Sequence, residues 1–163
     1  MSTIDRYGIR AQVPDGWQAR VRKRPAVAAA STSGSASTAR EVARPVLHMA
    51  SRSLPDDLGD FGGELVAAMG SSDVFLALID YGSDVADRGL FAKQGVPNLA
   101  PSQFSPNRMA RYIPGRSACQ HFFSDNGRAF CLYAVVGAHS RRMATVPRLA
   151  TAATGLRVSG GVS

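Results

Sequence analysis

Cysteine, histidine and lysine are scarce in this chain of 163 residues, and long apolar runs are missing. Each absence closes a class of chemistry. The two cysteines, Cys119 and Cys131, are too far apart in sequence for a CxxC pair and too few for a zinc knuckle. The three histidines, His48, His121 and His139, are scattered singly, which excludes an HExxH helix. No GxGxxG follows a strand-like run, and neither a Walker loop nor a GxSxG elbow is present. No catalytic, cofactor or metal-binding residue is therefore assigned, and an enzyme ranks third among the functional readings. No apolar run approaches the roughly 20 residues that span a bilayer. The opening MSTIDRYGIRAQVPDGW also lacks the charged start and apolar stretch of a signal peptide. The expectation is a cytoplasmic protein with no membrane partner.

Arginine is plentiful. It supplies every basic side chain except Lys23 and Lys93, and the net charge is +7. The charge is uneven along the chain: residues 1–52 hold nine basic and three acidic side chains, residues 53–90 one and eight, and residues 91–163 nine and one. A solvated basic surface is the plain account of such a balance, and a grip on an acidic partner is the sharper one. Glycine and aromatics are not interleaved with arginine as on an RNA-binding sheet, which weighs against a stacking platform.

The stretch Ser117 to His139 organises the rest. Two apolar runs flank Ser124-Asp125-Asn126-Gly127, and Asn-Gly between strand-like runs marks a hairpin because both turn positions need positive φ. Phe130 to Val136 is apolar on both faces of a pleat, so it reads as a central strand that needs a layer on each side. A two-residue turn sets Asp125 opposite Arg128, Cys131 opposite Phe122 and Cys119 opposite Ala134, with the thiols on different faces. Free, buried thiols follow, in keeping with a reducing compartment. A three-residue loop would instead put His121 opposite Cys131, the minimum for a nucleophilic thiol. Cys131 lies in the most apolar strand, which stabilises a thiolate poorly.

In chain order, Tyr7 to Val13 and Trp17 to Arg24 alternate with period two around a Pro14-Asp15-Gly16 turn, reading as an opening hairpin. Arg20, Arg22 and Arg24 then stand about 7 Å apart on one strand face. They suit either a phosphate or carboxylate grip or the charged guard of an edge strand. Residues 25–43, rich in Ala, Ser and Thr, read as a long flexible loop inside the domain. Pro45 to Ser53 is a third strand with Val46, His48 and Ala50 on one face, and His48 is an ordinary strand residue. A short helix over Glu64 to Met69 precedes the apolar run Asp73 to Tyr81, a second central strand, and Gly70 suits its C-cap. Leu90-Phe91 anchors an irregular segment. Ser105-Pro106 fits a helix start over Pro106 to Arg111, presenting Arg108 and Arg111, and Arg116 heads the main hairpin. Val146 to Thr154 makes a helix with Pro147 in its first turn and an apolar stripe of Val146, Leu149, Ala150 and Ala153. Leu156 to Val158 adds a short strand.

These features make one α+β domain over 1–163, an antiparallel sheet of about six strands with helices packed on it in an α/β/α-type sandwich. A chain this long buries about 70% of its unfolded surface in a single core. The order of strands, the Val13-Pro14-Asp15-Gly16-Trp17 turn, the variable loop, the DVFLALIDYG run, the late hairpin and the closing helix resemble the PsbP-like superfamily. That group includes photosystem extrinsic subunits, a Ran-binding nuclear protein and many bacterial proteins. The resemblance implies a non-catalytic binding role, with another protein as partner, and carries over no site residue. The first functional expectation is thus a non-enzymatic protein-interaction module, an adaptor or assembly part. The alternative is a basic module for nucleic acid or another phosphate-bearing ligand, using Arg20, Arg22, Arg24, Arg108, Arg111 and Arg116.

Overall fold

The computed structural model describes residues 1–24 and 44–160. Asn126 and Gly127 both take positive φ, 51° and 75°. The tight turn they form joins β6 (Ser117–Asp125) to β7 (Arg128–Val136), which pair from Asp125 opposite Arg128 to Ser117 opposite Val136 without a slip. The two-residue register therefore holds. Cys119 faces Ala134, Cys131 faces Phe122, and the thiols belong to different sides of the sheet.

β7 is buried along its whole length. It lies between β6 and β5 (Val74–Gly82), and beyond β5 come β4 (Pro45–Ala50) and β3 (Gln18–Lys23) in an antiparallel five-stranded sheet of order β3-β4-β5-β7-β6. A second antiparallel sheet has the order β1-β2-β8, from β1 (Ser2–Arg6), β2 (Ile9–Val13) and β8 (Arg157–Val158). The small sheet and α2 (Arg142–Thr154) cover one face of the large sheet: Ile9, Ala11, Val146, Leu149 and Ala153 pack with Leu47, Leu76, Leu78, Phe130 and Leu132. The other face carries Val46, Phe75, Ile79, Cys131 and Tyr133. It is covered by Leu54, Leu58, α1 (Gly63–Ala68) and the partly buried Met109 and Ile113. Both faces of the central strands are thus dry, as continuous apolar runs require.

The opening hairpin is placed differently from the sequence expectation. Its turn is Tyr7-Gly8, with φ of 54° and 78°, and it joins β2 back to β1, a strand too polar to announce itself. Pro14-Asp15-Gly16 instead carries the chain from the small sheet to the edge of the large one, so β2 and β3 are not ladder partners. The helix expected from Val146 begins at Arg142, which leaves Pro147 inside it. Burial of Thr145 and Val146 against the sheet outweighs the bond that proline cannot donate. The helix expected over Pro106 to Arg111 is one 3-10 turn, Pro106–Arg108, whose Ser105 hydroxyl accepts from the Asn107 N–H at 3.2 Å. The C-cap of α1 is Met69 rather than Gly70. The flexible loop expected over residues 25–43 lies outside the described residues.

Candidate interaction surface

Arg20 and Arg22 share one face of β3, as alternation dictates, Arg24 follows just past its end, and all three turn to their own chain. Arg20 donates to the Pro55 carbonyl at 2.7 Å. Arg22 donates to the carbonyls of Asp56, at 3.1 Å, and Leu58. Arg24 meets the Asp60 carboxylate at 3.2 Å and donates to the Asp80 carbonyl. The Gln18 side chain, next along the same face, accepts from the Leu54 N–H at 2.9 Å. This row ties the irregular segment 54–60 across the sheet. It satisfies backbone carbonyls that would otherwise be covered without partners.

His48 sits beside this row, directly opposite Arg20 in the ladder, and is 1% exposed. Its Nε2 is 3.0 Å from the Asp60 carbonyl oxygen, so that nitrogen carries the proton and donates. Burial first, and the charges of Arg22 and Arg20 after it, push its pKa down to about 4, against the opposing pull of the Asp60 carbonyl bond. It is a neutral clamp on the same segment.

The most deeply placed ion pair was not legible from sequence spacing. Arg128, first residue of β7, meets Asp80 of β5 at 2.6 Å, with side chains 8% and 6% exposed. The guanidinium also donates to the carbonyls of Gly8, at 3.2 Å, and Ser159, at 3.3 Å. The second Asp80 oxygen accepts from the Gly82 N–H at 2.6 Å. The pair fastens the large sheet to the turn of the small one.

The thiols offer no nucleophile. Burial pushes both Cys119 and Cys131 up to about 12. His121 lies opposite Leu132 rather than Cys131, and its Nε2 is 3.1 Å from the Gln103 side-chain oxygen. Among the described residues, no group of three or more His, Cys, Asp or Glu side chains is placed to hold a metal.

The other three arginines lie elsewhere, at the end of the large sheet where β6 begins and β7 ends. Arg116 donates to the Ala67 carbonyl at 3.2 Å and to that of Met69, closing the C-terminal end of α1. Arg108 and Arg111 are exposed. Their segment is held at three points: Ser105 exchanges two backbone bonds with Ala118, at 3.0 and 3.1 Å; the Tyr133 hydroxyl accepts from the Ala110 N–H at 2.9 Å; and the Gly115 carbonyl accepts from the His139 N–H at 2.7 Å. The last bond joins this segment to the entrance of α2. Tyr112 and Met143, 64% and 72% exposed, flank it, with Arg141 also exposed. The six arginines therefore do not form one surface. Four hold the fold, two face outward, and the backbone bond from His139 to Gly115 joins two stretches whose sequence spacing gives no sign of it.

No family model matches the chain, and neither a curated protein nor a solved structure matches it.

Proposed function

We propose that this protein is a non-enzymatic protein-interaction module, an adaptor or a part of an assembly. The observation that carries the reading is the division of labour among its polar groups. His48, both thiols and the Asp80–Arg128 pair are buried in fold-holding roles, while arginine, tyrosine and methionine side chains of the stretches 106–116 and 138–148 stand outward. Those three residue types are enriched where proteins meet. The likeness in layout to PsbP-like proteins points the same way. Two free, buried cysteines agree with a reducing, cytoplasmic setting, and among the described residues no helix is long and apolar enough to cross a membrane. An affinity pull-down from the source cells followed by mass spectrometry tests the reading. One protein recovered in stoichiometric amount supports it; recovery of none overturns it.

The alternative, a basic module for nucleic acid or another phosphate-bearing ligand, retains the exposed Arg108 and Arg111. It loses Arg20, Arg22, Arg24 and Arg116, whose guanidinium groups bond to the chain itself. Retention on duplex DNA at two salt concentrations tests it, since binding through phosphates falls steeply with salt.

A further inference from the structure

We propose that the cleft between residues 96–98 and the C-terminal end of α2 binds a free amino acid with an aliphatic side chain. This goes beyond the module reading and stands independently of it. Three bonds assemble the walls of the cleft. The Gly95 N–H donates to the Ser124 carbonyl at 2.8 Å, which sets the segment from Val96 to Asn98 beside Asp125. The Asn126 side-chain amide donates to the Val158 carbonyl at 2.5 Å, which holds the β6–β7 turn against β8. Arg157 folds back over the end of α2, its Nη1 donating to the carbonyls of Thr154 at 2.8 Å and Leu156 at 2.7 Å. The cavity is thus built before any ligand arrives, which lowers the ordering cost of binding.

Three observations select the ligand. The first is size: the cavity measures about 290 Å³, at the foot of the range of about 300–1,000 Å³ for small-molecule sites, which suits an amino acid better than a nucleotide. The second is charge of both signs on one lining. Asp125, the single acidic side chain after residue 91, lines the cavity and joins none of the ion pairs among the described residues. Arg157 lines it too, and its bonds to Thr154 and Leu156 use Nη1 alone, which leaves Nη2 and Nε to a ligand. Arg10 lies opposite Arg157 in the ladder and Asp5 opposite Arg10, so those two neighbouring charges offset each other. A carboxylate on Arg157 with an ammonium on Asp125 satisfies both groups at once, which neither a simple anion nor a simple amine does. The third is apolar surface: Val96, Pro97 and Leu156 line the same cavity and receive an aliphatic side chain.

The test is titration of the whole protein with leucine and valine, followed by backbone amide NMR shifts. Saturable shifts are expected at Asn98, Asp125, Thr154 and Arg157. Isocaproate, which is leucine without its amine, and isoamylamine, which is leucine without its carboxylate, should each bind about tenfold more weakly or worse. Asp125→Asn and Arg157→Gln should weaken leucine by a similar factor, with Arg111→Gln, outside the cleft, as the control that leaves it unchanged. Asp125→Asn should also erase the difference between leucine and isocaproate, a result that loss of folding does not imitate because isocaproate still binds. Absence of saturable shifts at millimolar leucine and valine would overturn the proposal. So would equal binding of leucine and isocaproate to the wild type, which would make the cleft a plain anion site, or an equal loss with Arg111→Gln.

Discussion

A single buried carboxylate shows how much of this fold rests on individual polar groups. Asp80 is 4% exposed and its partner Arg128 6%, so removing either leaves a desolvated charge. Asp80→Ala should therefore cost about 3–5 kcal/mol, read as a drop in the urea midpoint with unchanged slope. His48 works in the opposite sense. Its pKa falls from the ordinary 6.5 to about 4 on folding, so the unfolded chain binds the extra proton first. The stability His48 contributes is complete above pH 6.5, declines as pH falls toward 4, and is then gone. The decline amounts to about 3 kcal/mol. His48→Gln should flatten the fall in stability between pH 6.5 and pH 4; an unchanged acid limb would contradict the neutral clamp.

At the scale of elements, the late hairpin was readable to the residue and the arginine row was not. Asn126-Gly127 declares its own turn because Asn and Gly accept two successive positive φ values most readily, and the register then follows from counting. Gly127→Val should thus cost about 1–2 kcal/mol through left-handed strain alone. Arg20 and Arg22 were correctly placed on one strand face, with Arg24 just past the strand's end, yet the three reach acceptors 34 to 36 residues away in a segment with no periodicity, and Arg24 also the Asp80 carbonyl 56 residues on. Nothing local marks a backbone carbonyl as a distant arginine's partner. Ser2–Arg6 escaped notice for a related reason: it is mostly exposed and held by pairing rather than by apolar side chains. Freeing the docked segment is measurable. Arg22→Ala should cost about 1–2 kcal/mol, and hydrogen exchange should quicken over residues 54–60 well before the rest of the sheet.

For the whole molecule, the charge asymmetry seen along the sequence resolves into two separate outcomes. The acidic stretch 53–60 folds back onto the arginines that follow one another from Arg20 to Arg24: Arg20 and Arg22 take its backbone carbonyls, and Arg24 takes the Asp60 carboxylate. The basic stretch after residue 91 has a single acidic side chain, Asp125, and its Arg116, Arg142 and Arg148 bond to carbonyls rather than to carboxylates. Composition showed that the halves differ, but which charges meet could be decided only by topology. The most direct measurement is hydrogen exchange on the protein alone and bound to the partner recovered from its source cells. The account predicts slowed exchange confined to residues 106–116 and 138–144; slowing over residues 54–60 or over the small sheet, with those two stretches unchanged, would contradict it.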